Sequence, residues 1–122
     1  MTDGQMRFSP VMLLHYVTAI LILAFGAVHL ATHSFLDPAG YSGGIAYFAV
    51  ISHFWNPLYA ATLEGILVTV AYHGFNGVRN ILLEFRQDRS WNRAVTVLLL
   101  LFGTVVIVYG TRTILIVSLG WR

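Results

Sequence analysis

The sequence predicts an all-α membrane protein with three transmembrane helices, and three observations predict it. First, 57% of the 122 residues are apolar and only 10% are charged, whereas a soluble domain is about a quarter charged. Second, three stretches are nearly free of charge: Pro10–Leu36, Pro57–Val78, and Ala94–Thr111 continuing past Arg112 to Leu119. Each approaches or exceeds the ~20 residues that cross ~30 Å of hydrocarbon at ~1.5 Å per residue. Third, the basic residues are all arginine, and most stand at the ends of these stretches.

The expected helices run approximately over residues 10–36, 57–86 and 91–119 of a single domain, 1–122. The first is too long for the apolar part of a signal peptide, and no small-x-small cleavage site closes it, so it is read as a retained anchor. Asp37-Pro38-Ala39-Gly40 and Gly43-Gly44 are turn signals. The short apolar piece Ile45–Trp55 should lie along the outer interface, with Tyr41, Tyr47 and Trp55 as belt residues. Pro57 suits the first turn of the second helix, and Ser90 the N-cap of the third. Such helices bury little against one another, so partner helices are expected.

Arginine sets the orientation. Arg86, Arg89 and Arg93 cluster between helices two and three, Arg7 precedes helix one, and residues 37–56 hold no lysine or arginine. The positive-inside rule then puts the N-terminus and the 86–93 loop in the cytoplasm and the C-terminus outside, with Trp121 at headgroup level. The pI near 9.3 reflects boundary arginines and carries no nucleic-acid signal. The absence of cysteine excludes c-type haem attachment, thiolate-held iron–sulfur clusters and disulfides on this chain.

The histidines are the chemical content. His73 stands in the middle of the second helix, where an imidazole is costly without a partner. Its common task at such depth is to ligate haem iron, the alternative being a hydrogen-bonded packing residue. Gly77 is one turn further on the same face and would let a flat macrocycle or a second helix reach the backbone. Glu84, eleven residues on, returns to that face at the cytoplasmic boundary. It is either part of a proton route or a helix-end charge facing water or Arg86.

On helix one, His29 is a candidate second ligand, expected ~14 Å further out than His73 at ~1.5 Å per residue. One haem cannot bridge that gap, so two ligands would mean two haems, each completed by a histidine from a partner chain. His33 is near the outer boundary and His53 in the outer loop; neither requires a ligand role. His15 could bind a haem propionate, a quinone oxygen or a backbone carbonyl. Arg79 could bind a propionate or snorkel to the boundary. Arg112 could bind a propionate or pair with Glu64, and pairing is the favoured expectation.

These residues resemble the hydrophobic membrane-anchor subunits of succinate dehydrogenase (succinate:quinone oxidoreductase, respiratory complex II) and the related fumarate reductases. The family pattern is a haem-ligating histidine on the second helix, a glycine four residues on, often an arginine, and an acid eleven after the histidine. Here these are His73, Gly77, Arg79 and Glu84. The family acid is usually aspartate, and the tyrosine that follows it in one anchor subtype is Phe85 here, which removes that hydrogen bond to quinone. Tyr16-Val17-Thr18-Ala19-Ile20 resembles the opening of the D anchor. The C anchor's serine and arginine around a histidine are replaced by Met12 and Tyr16 beside His15.

The resemblance implies a cytochrome b anchor with no independent catalytic site, in a prokaryotic cell (inner) membrane. Its partners would be a flavoprotein that oxidises succinate, an iron–sulfur subunit and a second anchor. Its cofactors would be one or two haems b shared with that second anchor, with menaquinone or ubiquinone as substrate. His73 would be an axial ligand, His29 would ligate a distal haem, and His15, Tyr16, Arg79, Glu84 and Arg112 would lie near propionates or quinone. Two other readings compete: the anchor of a different dihaem cytochrome b complex, and a haem-free assembly subunit. The absence of an internal repeat argues against a transporter.

Overall fold

The computed structural model describes residues 9–37, 43 and 45–120. Arg7, Tyr41, the Pro38–Gly40 part of the turn, Gly44 and Trp121 lie outside the described residues. Among the described residues the fold is all helical. Helix α1 spans Pro10–Ser34, α2 Tyr47–Phe54, α3 Pro57–Phe85 and α4 Arg89–Ser118.

Local sequence explains the boundaries. Pro10 and Pro57 occupy the first turns of α1 and α3, where a missing N–H costs nothing and φ is already helical. The Asn56 side chain caps α3 by accepting from Leu58 N at 2.9 Å. Helix α4 begins earlier than expected: Asp88, not Ser90, is its N-cap, accepting from Trp91 N at 3.3 Å. Asp88 also pairs with Arg86, so one carboxylate closes the turn from both sides. The pairing takes Arg86 away from Glu84. The Ile45–Trp55 stretch forms the short helix α2, which packs against both α3 and α4.

Helix α3 is the central helix. Contacts to α1 pair Thr18 with His73, Phe25 with Gly65 and His29 with Tyr59, so α1 runs antiparallel to α3. Contacts to α4 pair Arg79 with Asn92, Phe75 with Gly103 and Glu64 with Thr111, so α4 is antiparallel to α3 as well. Helices α1 and α4 do not touch each other within the described residues. Three glycines make the close approaches: Gly65 receives the Phe25 ring, Gly110 the Leu67 methyls and Gly103 the Phe75 ring.

The core is thin. Its buried residues are Thr18, Tyr59, Thr69, Ala71, Val95 and Gly103, and none of the described side chains is fully enclosed. Large apolar side chains cover the outside instead, such as Leu23 at 75% and Val105 at 63% exposure. Such a surface suits lipid rather than water. Two helices, α1 and α4, are long and apolar enough to cross a membrane. The expectation was three. Helix α3 has 29 residues, ~44 Å at ~1.5 Å per residue, but Glu64, His73, Asn76, Arg79, Asn80 and Glu84 dilute its hydropathy. Four of these six are turned onto neighbouring helices, as described next.

Candidate functional site

The polar residues of α3 gather in two clusters at opposite ends of its seam with α1. At one end His73 faces His15. The two imidazoles are stacked, with ring centroids 3.9 Å apart and planes 13° from parallel. His73 Nδ1 lies 3.1 Å from the backbone carbonyl of His15 and 3.4 Å from Thr18 Oγ1. Thr18 in turn donates to that same carbonyl at 2.9 Å. A carbonyl can only accept, so Nδ1 of His73 carries the proton and Nε2 carries a bare lone pair. Within the described residues, Nε2 makes no hydrogen bond.

His15 is held in the opposite tautomer. Asn76 Nδ2 donates to His15 Nδ1 at 3.1 Å, which leaves the proton on Nε2. Of the two stacked imidazoles, His73 therefore carries a lone pair on Nε2 and His15 an N–H. Tyr72 ties the same seam by donating to Val11 O at 3.3 Å. A Cβ built on Gly77 or Gly74 would meet nothing within 4 Å. The face of α3 just beyond His73 is open, unlike that at Gly65.

This arrangement fits haem iron. An axial histidine characteristically donates its other ring N–H to a carbonyl, which fixes its orientation and raises its basicity. His73 has that donor, a free Nε2 and an uncrowded backbone one turn away.

The second cluster, near the start of α3, centres on Tyr59, which is 5% exposed. Its hydroxyl lies 2.9 Å from His29 Nδ1 and 2.7 Å from His33 Nε2. One hydroxyl proton can serve only one of them, so the other imidazole donates to the tyrosine oxygen. His53 packs its ring 5.0 Å from His33 and bonds Asp37 at 3.2 Å. His29 Nε2 makes no hydrogen bond within the described residues. No group of three or more His, Asp or Glu among the described residues is arranged to hold a metal ion; the Tyr59 cluster is a hydrogen-bonded assembly. Counting along α3 from Tyr59 to His73 separates the clusters by ~21 Å at ~1.5 Å per residue. This exceeds the expected ~14 Å because the register stacks His15, fourteen residues before His29, on His73.

The remaining candidates sit apart. Glu64 accepts from Thr111 Oγ1 at 2.7 Å and not from Arg112, contrary to expectation. Successive residues on a helix are ~100° apart; Thr111 faces α3, so Arg112 is turned outward and exposed. Arg79 is ~120° around α3 from His73 and reaches α4, donating from Nε to Thr96 Oγ1 at 2.9 Å and from Nη2 to Asn92 Oδ1 at 3.1 Å. Tyr16, Glu84 and Phe85 are exposed. Sequence reasoning missed Tyr59, Thr18 and Asn76. Tyr59 had a usable signal: it stands fourteen residues before His73, within ~40° of the same face.

Comparison with known proteins places the chain in a family. Residues 9–118 match the family described as succinate dehydrogenase/fumarate reductase transmembrane subunit. The succinate dehydrogenase hydrophobic membrane anchor subunit of Thermoplasma acidophilum is 27% identical over 103 residues, covering 84% of this chain and 80% of that relative. No solved structure matches the chain. The match runs through all the helices and both histidine clusters, and the chain belongs to the succinate dehydrogenase/fumarate reductase transmembrane-subunit family.

Proposed function

We propose that this chain is a cytochrome b anchor of a succinate:quinone oxidoreductase in a prokaryotic cell membrane, with His73 an axial ligand of haem b. The observation that carries the reading is the His73 imidazole itself, with Nδ1 bonded to a carbonyl and Nε2 unengaged beside open glycines. When bound, the haem supplies one-electron transfer between an iron–sulfur subunit and quinone. The chain's own residues do the rest. His15 and Thr18 orient His73, Asn76 sets the His15 tautomer, and the bare faces of Gly74 and Gly77 admit the macrocycle and a second anchor.

The chain crosses the membrane three times as one domain, with its N-terminus and the 86–93 loop cytoplasmic. The arginine distribution supports this, as do the span lengths of α1 and α4 and the turning of α3's polar residues onto its neighbours. Its partners are a flavoprotein, an iron–sulfur protein and a second anchor that completes the thin core. His29 is a ligand of a second, outer haem; the ~21 Å between clusters and its free Nε2 support a site separate from that of His73. His15 Nε2–H is available to a propionate or a quinone oxygen, and exposed Tyr16 and Glu84 lie towards the same end. Glu84 delivers protons there. Arg112 is exposed on α4 at the opposite end, available to the outer propionates.

The test is the spectrum of the purified assembly before and after succinate addition. The intact complex gives a succinate-reducible b-type absorbance, and His73→Ala removes that of the inner haem. Full absorbance in an assembled His73→Ala complex overturns the reading.

A further inference from the structure

A groove runs between α3 and α4, opening beside the Asn76 and Tyr72 edge of the α1–α3 seam. Its volume is about 290 Å³. One end is polar, formed by Asn76, Arg79 and Thr96, and the rest is apolar, ending at Val68 and Ile107. From Arg79 to Val68 is eleven residues, ~17 Å at ~1.5 Å per residue, close to the ~15 Å hydrocarbon depth of one leaflet. The mouth of the groove is open because α1 and α4 do not meet across it within the described residues.

Arg79 gives the groove its sign. Thr96 and Asn92, both neutral, take two of its five N–H groups. Among the described residues no carboxylate pairs with it. The guanidinium is held in one orientation with its charge uncompensated and donors to spare, at the rim of an apolar channel. An unpaired arginine at a membrane boundary is stabilised by an anion. A free inorganic anion would leave the apolar length of the groove unused, whereas an amphiphile fills both parts.

We propose that this groove binds an anionic phospholipid of the leaflet that Arg79 faces, with the phosphate on Arg79 and one acyl chain running towards Val68 and Ile107. This rests on the membrane-spanning reading above and not on haem ligation. Arg79 is ~120° around α3 from His73 and Asn76 ~60° in the same direction, so the phosphate sits on the far side of Asn76 from the imidazole. The lipid fills the seam that α4 leaves open, and the charge selects its headgroup.

The experiment uses the intact complex, delipidated in detergent and titrated with dioleoyl phosphatidylglycerol or dioleoyl phosphatidylcholine, with retained lipid counted by native mass spectrometry. One basic contact predicts about a fivefold preference for the anionic lipid. Arg79→Gln removes the preference. Leu100→Trp, which fills the groove from α4, weakens both lipids and provides an independent variant should Arg79→Gln fail to assemble. Equal binding of the two lipids by the unaltered complex overturns the proposal, as does unchanged binding in Leu100→Trp. Carbonate extraction of membranes separates the two failures: a chain that resists extraction yet shows no lipid preference sinks only the lipid site. Release of the chain sinks the membrane reading as well.

Discussion

The same substitution, glycine to alanine, should act in opposite directions at two positions of α3. At Gly65 a built Cβ meets the Phe25 ring at 2.7 to 3.0 Å, so the ring and α1 behind it must move. Overpacking of this kind costs about 1–3 kcal/mol, against a helix-propensity gain of about 1 kcal/mol. At Gly77 the added methyl meets nothing within 4 Å, and only the gain of about 1 kcal/mol remains. The whole chain in mild detergent, unfolded by sodium dodecyl sulfate and followed by helical circular dichroism, should therefore rank Gly77→Ala above the unaltered chain. Gly65→Ala should rank at or below it, so that the two variants differ by about 1–3 kcal/mol. In the assembled complex Gly77→Leu should reverse the ranking by excluding whatever seats against that face, read as loss of b-type absorbance. Equal shifts in the two alanine variants, or a Gly77→Leu complex with full absorbance, would refute the view that Gly65 is used within the chain and Gly77 by something outside it.

Two further expectations concern polar residues. Tyr59→Phe removes the hydroxyl shared by His29 and His33; if His29 ligates an outer haem, one of two midpoint potentials should shift in a redox titration while the other holds, and two unmoved potentials would count against His29. Glu84→Gln should slow quinone reduction by the complex and leave the haem spectrum unaltered, whereas unaltered turnover would take Glu84 out of the proton route.

Much of this architecture was legible in the residues. The apolar stretches marked α1, α3 and α4, Pro57 marked a helix start, and the sparse charge implied a core too thin to stand alone. The motif from His73 to Glu84 pointed to the family that the comparison shows. What stayed hidden depends on register between helices, which periodicity along one helix does not contain. That His73 would meet Thr18 and His15, and that Tyr59 would lie between His29 and His33, requires knowing how far α1 slides along α3. The misplaced cap has a local cause: Ser90 and Asp88 are both good capping residues, and only the Arg86 pairing favours the earlier one. Glu64 and Arg112 attracted each other on paper because opposite charges at similar depth should pair. The rotation of α4 that brings Thr111 inward decided otherwise.

All five histidines belong to α1, α2 and α3, and α4 contributes none. The chain thus separates two kinds of evolutionary freedom. Mutations along the α1–α3 seam disturb a set of imidazoles whose protons are already allotted, and few alternatives satisfy them all. Mutations along α4 alter bulk and greasiness beside Arg79 without touching a single imidazole, so that helix can drift while the histidine assemblies stay as they are.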